Sequence, residues 1–124
     1  MKMRISRIRL VTANLNSCLS FYRRLGFQVI EKSGKYMLLA KTFRIEVIVM
    51  GRQLPPTSKN PISGCLEMSI ALDMPVRAFM ARLKEQGLEP EHIRSDLAGA
   101  VESAFFRDPD GNLIEFVAQR QSSS

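Results

Sequence analysis

The sequence predicts an α+β fold of two tandem βαβββ repeats that form a curved mixed sheet, with a concave ligand cleft and with the helices on the outer face. Three observations predict this fold. Each half of the chain has one segment of helical periodicity among short β-rich segments. Each helical segment ends at a glycine, Gly26 or Gly87, that is followed by an apolar residue. Each half also has an apolar strand with one central glutamate, Glu46 or Glu115, which indicates an internal duplication.

The first repeat covers about residues 5–50. Asn14 is a candidate N-cap, because its side chain can accept a hydrogen bond from a backbone N–H in the first turn of a helix. Runs rich in β-branched and aromatic residues predict the strands. The predicted elements are a strand over 5–12, a helix over 15–25, and strands over 27–30, 35–40 and 43–50.

The second repeat covers about residues 65–118 and follows a stretch rich in Pro, Gly and Ser, about residues 51–64, which is predicted to be a linker. The turn sequence at 108–111, DPDG, predicts that the last two strands form a hairpin. The predicted elements are a strand over 65–72, a helix that begins near Pro75 and ends at Gly87, and strands over 88–93, 100–107 and from 113 onward. Residues 119–124 are predicted to be frayed, and the whole chain, 1–124, is predicted to be one domain.

The net charge is +6, and it is distributed unevenly. Residues 1–60 contain 12 Lys and Arg against 2 Asp and Glu, whereas residues 61–124 contain 6 against 10. The basic residues are spread along the chain, and there is no Trp, so a nucleic-acid partner is not expected. Opposite charges on the two halves, together with open sheet edges, predict a homodimer.

Other composition features predict a soluble cytoplasmic protein. No apolar run reaches about 18 residues, so no membrane partner is expected. The basic N-terminal segment is not followed by the apolar stretch of a secretion signal. The two cysteines, Cys18 and Cys65, do not form a disulfide framework.

Strand alternation predicts a polar cluster on the face opposite the helices. That face is predicted to carry, mid-strand, Arg7, Glu46, Glu67 and Glu115. Arg9 and Ser69 share it and are also predicted to contact a ligand. Three carboxylates beside one guanidinium leave surplus negative charge, which favours a polar or cationic small molecule.

Three segments resemble motifs of the vicinal-oxygen-chelate superfamily, which holds glyoxalase I, bleomycin-resistance proteins, fosfomycin-resistance transferases and extradiol dioxygenases. They are residues 8–15 (IRLVTANL), 21–27 (FYRRLGF) and 107–115 (RDPDGNLIE). The similarity extends over about residues 5–118. It is specific for the fold, but members of the superfamily share a scaffold and not a reaction.

The resemblance implies four positions from which metal-using members take their ligands, most often His and Glu. In this chain those positions hold Arg7, Glu46, Glu67 and Glu115. Two glutamates match the glyoxalase pattern, but neither expected histidine is present, and a guanidinium has no lone pair for a metal. No cofactor is therefore expected. If a divalent metal such as Mg, Mn, Ni or Zn is bound, its ligands would be Glu46, Glu67 and Glu115.

Three functions fit these residues. The first is a small-molecule-binding protein that lacks the usual metal site. The alternative is a divalent-metal-dependent lyase, isomerase or epimerase, with Glu46 or Glu115 as the candidate catalytic proton carrier. The third is an interaction module with a filled cleft, which would lack a cavity of about 300 Å³. The repeats pair either within one chain or by exchange between two chains.

Overall fold

The computed structural model describes residues 1–52 and 54–118. In the first repeat these residues form β1 (Ile8–Thr12), α1 (Leu15–Leu25), β2 (Gln28–Lys32), β3 (Lys35–Leu39) and β4 (Arg44–Val49). In the second they form β5 (Glu67–Leu72), α2 (Val76–Glu85), β6 (His92–Ser95), β7 (Val101–Arg107) and β8 (Leu113–Ala118). The prediction of two tandem βαβββ repeats is confirmed. The prediction for 119–124 lies outside the described residues.

The strands form two four-stranded mixed sheets, one in each repeat. The strand order is β1-β4-β3-β2 in the first sheet and β5-β8-β7-β6 in the second. In both sheets the first and last strands of the repeat pair in parallel, and the other pairs are antiparallel. The chain divides into two compact units, Met1–Leu66 with Pro109–Gly111, and Glu67–Asp108 with the residues after Gly111. The interpretation of the chain as one domain stays a prediction.

Helix α1 begins and ends where its capping residues predict. The Asn14 side chain accepts a hydrogen bond of 3.2 Å from the backbone N–H of Ser17. Gly26 has a φ of 112°, a left-handed conformation that glycine adopts without a steric penalty, and it ends the helix. Helix α2 has Pro75 at its N-cap and no side-chain cap, and Gly87 follows its C-cap.

The predicted alternation of strand faces is also present. In β8, Ile114 and Phe116 are buried, while Glu115 between them is half-buried. In β4, Ile45 and Val47 are buried on one face as predicted. Glu46 lies on the opposite face and is nevertheless only 5% exposed, so its carboxylate requires partners.

The prediction that Arg7 and Glu67 lie in the middle of strands is wrong. Strand β1 begins at Ile8, so Arg7 precedes it, and Glu67 is the first residue of β5. Glu67 is opposite Leu113, the first residue of β8, so no partner strand extends beyond it, and the β1–β4 ladder begins with Ile8 opposite Ile45. Strand β6 likewise begins later than predicted.

The predicted hairpin between β7 and β8 is closed by two side chains. Asn112 donates hydrogen bonds from its backbone N–H (2.9 Å) and its side-chain amide (2.7 Å) to the Asp108 carboxylate. The tip of the turn, Pro109–Gly111, belongs to the first unit. There the Asp110 carboxylate accepts hydrogen bonds from the Thr12 hydroxyl (2.5 Å) and the Ala13 backbone N–H (2.8 Å). The turn therefore also holds the end of β1.

Candidate functional site

A cavity of about 450 Å³ lies in the first unit. Its floor is the face of β1 and β4 that carries Arg9, Val11, Glu46 and Ile48. Arg52 and residues 54–61, which were predicted to be part of a linker, supply another wall. Because the volume exceeds about 300 Å³, this cavity argues against an interaction module with a filled cleft.

Glu46 is the buried acid of this cavity. One carboxylate oxygen, Oε2, accepts a hydrogen bond of 2.8 Å from the Arg7 guanidinium. The other, Oε1, lies 3.8 Å from Nε of Arg9. Arg9 is directly opposite Glu46 in the β1–β4 ladder, and both guanidiniums are about half-exposed. The structure thus brings together three of the predicted site residues, and it supplies the opposite charge that a buried carboxylate needs.

Three cationic side chains line the cavity, Arg9, Lys35 and Arg52. Within the described part of the chain, no carboxylate lies within 4.0 Å of the side-chain nitrogens of Lys35 or Arg52. Sequence reasoning missed both residues. For Arg52 the available signal was the length of the 51–64 segment, since loops of more than about 12–15 residues without secondary structure are usually functional or disordered. No such signal marked Lys35, which begins β3.

The rest of the lining combines apolar and hydroxyl groups. Val11 and Ile48 provide apolar surface from the strands, and Leu54 and Pro61 provide it from the 52–61 segment. Thr57 and Ser58 add two hydroxyls that can donate or accept hydrogen bonds. An apolar lining with a few polar groups is the usual composition of a small-molecule site.

In the second unit, Ser69 and Glu115 are brought together as the alternation predicted. The Ser69 hydroxyl donates a hydrogen bond of 2.9 Å to the Glu115 carboxylate. Nη1 of Arg94 lies 3.8 Å from the other carboxylate oxygen. The Arg94 guanidinium also lies 5.2 Å from the centre of the Phe105 ring. Sequence reasoning missed Arg94 because β6 was predicted to lie four residues earlier than the structure has it.

Glu67 is exposed at the start of β5, and its electrostatic neighbour is Arg107. Arg107 forms two hydrogen bonds with Glu91, of 2.9 and 3.1 Å. These bonds are the main reason that the pKa of Arg107 lies above its ordinary value, and the charge of Glu67 adds to the effect. The same bonds lower the pKa of Glu91.

The predicted cluster is therefore distributed over both units, with Arg7, Arg9 and Glu46 in the first and Glu67, Ser69 and Glu115 in the second. The contacts described above lie within each unit. The convergence of all these side chains on one ligand stays a prediction.

The residues at the implied metal positions do not fit a divalent cation. Across residues 1–52 and 54–118, no group of three or more His, Cys, Asp or Glu side chains is arranged to hold a metal ion. Each oxygen of Glu46 faces a guanidinium nitrogen, and arginine has no lone pair to donate to a metal. The oxygens of Glu115 face a hydroxyl and a third guanidinium.

The chain resembles known proteins over almost its full length. A family model described as Glyoxalase/Bleomycin resistance protein/Dioxygenase superfamily matches residues 4–116. Virulence protein STM3117 of Salmonella typhimurium strain LT2 is 25% identical over 117 residues, which cover 90% of this chain and 81% of that protein. None of the helices in the described residues is both long enough and apolar enough to cross a membrane.

Solved structures agree with the family match. An integron cassette protein from the mobile metagenome of V. cholerae superposes with a TM-score of 0.82 and 25% identity, covering 97% of this chain and 98% of that one. A bleomycin-binding protein, solved in complex with bleomycin, superposes with a TM-score of 0.66 and 20% identity, covering 96% of this chain and 100% of that one. At that identity the second likeness shows the fold alone.

Proposed function

The chain belongs to the Glyoxalase/Bleomycin resistance protein/Dioxygenase superfamily, and from this premise we propose that it binds a small molecule in the cavity of its first unit without a resident metal ion. One observation carries the proposal. A cavity of about 450 Å³ is lined by one buried carboxylate, that of Glu46, and each oxygen of this carboxylate faces a guanidinium.

The geometry supports binding better than proton transfer. Glu46 was one of the two candidate catalytic residues, but one of its carboxylate oxygens is bonded to Arg7, and the other lies 3.8 Å from Nε of Arg9. A general base must lie within hydrogen-bond reach of the proton that it removes. The other candidate, Glu115, lies in the second unit and is not among the residues that line this cavity.

The fold offers a precedent for the binding of a small molecule. The bleomycin-binding protein that shares this fold was solved with its antibiotic. The lining described above, with apolar walls, two hydroxyls and several charged groups, supports the same kind of role here.

The test is a thermal-shift screen of the purified chain against small metabolites and antibiotics, followed by calorimetry of the hits. A ligand at 100 times its Kd should stabilise the protein by about 2.7 kcal/mol. Val11→Phe should abolish that stabilisation, because the larger side chain fills space that Val11 leaves at the cavity floor. Ala71→Phe, on the exposed face of β5, is the matched control and should retain it.

Two results would contradict the proposal. One is the absence of any stabilising compound at millimolar concentration. The other is a stoichiometric metal ion found by elemental analysis of the purified protein, which would favour the metal-dependent lyase, isomerase or epimerase instead.

The proposal includes a homodimer in the cytoplasm. Strands β1 and β2 are the edges of the first sheet, and β5 and β6 are the edges of the second. The outer backbone groups of such edge strands can pair with a second copy of the chain. Cys65 is an exposed free thiol, which suits a reducing compartment. Light scattering over a range of protein concentrations tests the dimer, and a constant monomer mass would contradict it.

A further inference from the structure

We infer that the ligand of the first-unit cavity carries an anionic group, a carboxylate or a phosphate, on a small apolar skeleton. This inference rests on the proposed function and names the chemical class of its ligand. It reverses the expectation of a polar or cationic ligand, which counted Glu67 and Glu115 in the same cluster as Glu46.

The charge of the cavity lining favours an anionic ligand. Three cations, Arg9, Lys35 and Arg52, face the cavity together with one carboxylate, that of Glu46. The charge of this carboxylate is already balanced by Arg7, which bonds to it at 2.8 Å. A cationic ligand would therefore meet like charges, whereas an anionic ligand would meet complementary ones.

The geometry of Arg9 also favours an anionic ligand. Its Nε lies 3.8 Å from the Glu46 carboxylate, which is longer than a hydrogen bond. Glu46 therefore leaves the N–H donors of the Arg9 guanidinium unsaturated. A guanidinium presents a planar fork of N–H groups that matches carboxylate and phosphate oxygens bidentately, so Arg9 is suited to the anionic group of a ligand.

Glycine-containing turns place the other two cations, Lys35 and Arg52. Lys35 begins β3 directly after Gly34, which has a φ of 76° and itself lines the cavity. Arg52 follows Gly51, with a φ of 85°, and its backbone N–H bonds to the Val49 carbonyl at the end of β4. These turns direct the chain so that both cations reach the cavity, and the apolar strand residues remain available for the skeleton of the ligand.

The experiment uses matched compounds that share a skeleton and differ in charge. One triplet is benzoate, benzamide and benzylamine, another is butyrate, butyramide and butylamine, and phenyl phosphate is added as a second anion. Binding to the full chain is measured at low ionic strength by ligand-observed NMR and calorimetry. Each anion should bind at least about tenfold more tightly than its amide, and the amine should bind most weakly.

Charge-removing variants locate the interaction. Lys35→Gln and Arg52→Gln should each weaken anion binding about tenfold. Lys41→Gln removes the same charge from an exposed turn that does not line the cavity, and it should leave the affinity unchanged. Added salt should weaken binding of the anions more than that of the amides.

Each contrary outcome has a distinct meaning. If amides or amines bind as tightly as the anions, and Val11→Phe abolishes that binding, the inference is overturned and the proposed function stands. If the anions bind equally well to wild type, Lys35→Gln and Arg52→Gln, binding is adventitious to a basic surface and the inference is overturned. If no member of either triplet binds at millimolar concentration, the result counts against both.

Discussion

Glu46 and Glu115 occupy the same position in the two sheets, and they are held in different ways. Glu46 is opposite Arg9 in the β1–β4 ladder, and Glu115 is opposite Ser69 in the β5–β8 ladder. The Glu46 side chain is 6% exposed, whereas that of Glu115 is 23% exposed. The duplicated scaffold therefore determines where a carboxylate stands, but the residues around it determine how deeply it is buried, because burial without a partner costs free energy.

The residues two positions before Arg9 and Ser69 also differ between the repeats. In the first repeat it holds Arg7, which bonds to Glu46. In the second it holds Glu67, a like charge to Glu115, and Glu67 is exposed with Arg107 as its electrostatic neighbour. The same backbone thus carries a buried, charge-balanced acid in one repeat and more exposed acids in the other.

The largest expected effect comes from removing the partner of the buried acid. Arg7→Ala should lower the free energy of unfolding by about 1–3 kcal/mol, because Glu46 would keep only Arg9 at 3.8 Å. Urea denaturation at neutral pH measures it. In a Glu46→Gln background the same substitution should cost less, and Arg4→Ala, at an exposed position, is the control. An unchanged midpoint for Arg7→Ala would show that Glu46 does not depend on its guanidinium.

The matched change in the second repeat should be milder. Ser69→Ala removes the hydroxyl that donates to Glu115 and should cost at most about 1 kcal/mol, because water can replace it at this exposed residue. Ser69→Thr keeps the hydroxyl and should restore stability in the same denaturation assay. A loss as large as that of Arg7→Ala would remove the difference between the repeats.

The Arg94–Glu115 pair should contribute still less. A double-mutant cycle of Arg94→Ala and Glu115→Gln should give a coupling free energy of about 0.2–0.5 kcal/mol, since the Arg94 side chain is 59% exposed and 3.8 Å away. The coupling should disappear in high salt. In the matching cycle of Arg7→Ala and Glu46→Gln, the coupling free energy should fall less with salt. Equal salt sensitivity in the two cycles would contradict the difference in burial.

A pH-dependent effect is expected for the exposed Glu91–Arg107 pair. Its hydrogen bonds lower the pKa of Glu91 below the ordinary value of 4.5 in the folded protein. The pair should therefore stabilise the fold above about pH 4.5, and this contribution should be lost as the pH falls through the lowered pKa. Thermal unfolding of wild type and Glu91→Gln from pH 3 to pH 7 checks this. A stability difference that grows toward acidic pH would have the wrong sign.

The sequence by itself determined the features that repeat over a few residues. Helix α1 with its caps at Asn14 and Gly26, the alternation around Glu115, and the hairpin turn were all predictable. The reason is that helical and strand periodicity, like the conformational freedom of glycine, follow from local backbone geometry. Because the two repeats have the same order of elements, the elements predicted in one repeat could be compared with those predicted in the other.

Other contacts between distant residues were decided by the tertiary structure alone. Asp110 binds the end of β1 through Thr12, nearly a hundred residues earlier, although its local sequence predicted a turn and nothing more. Lys35 from β3 and Arg52 from the predicted linker join Arg9 around one cavity. Such contacts depend on strand register and on the path of the chain between elements, and local periodicity carries no information about either.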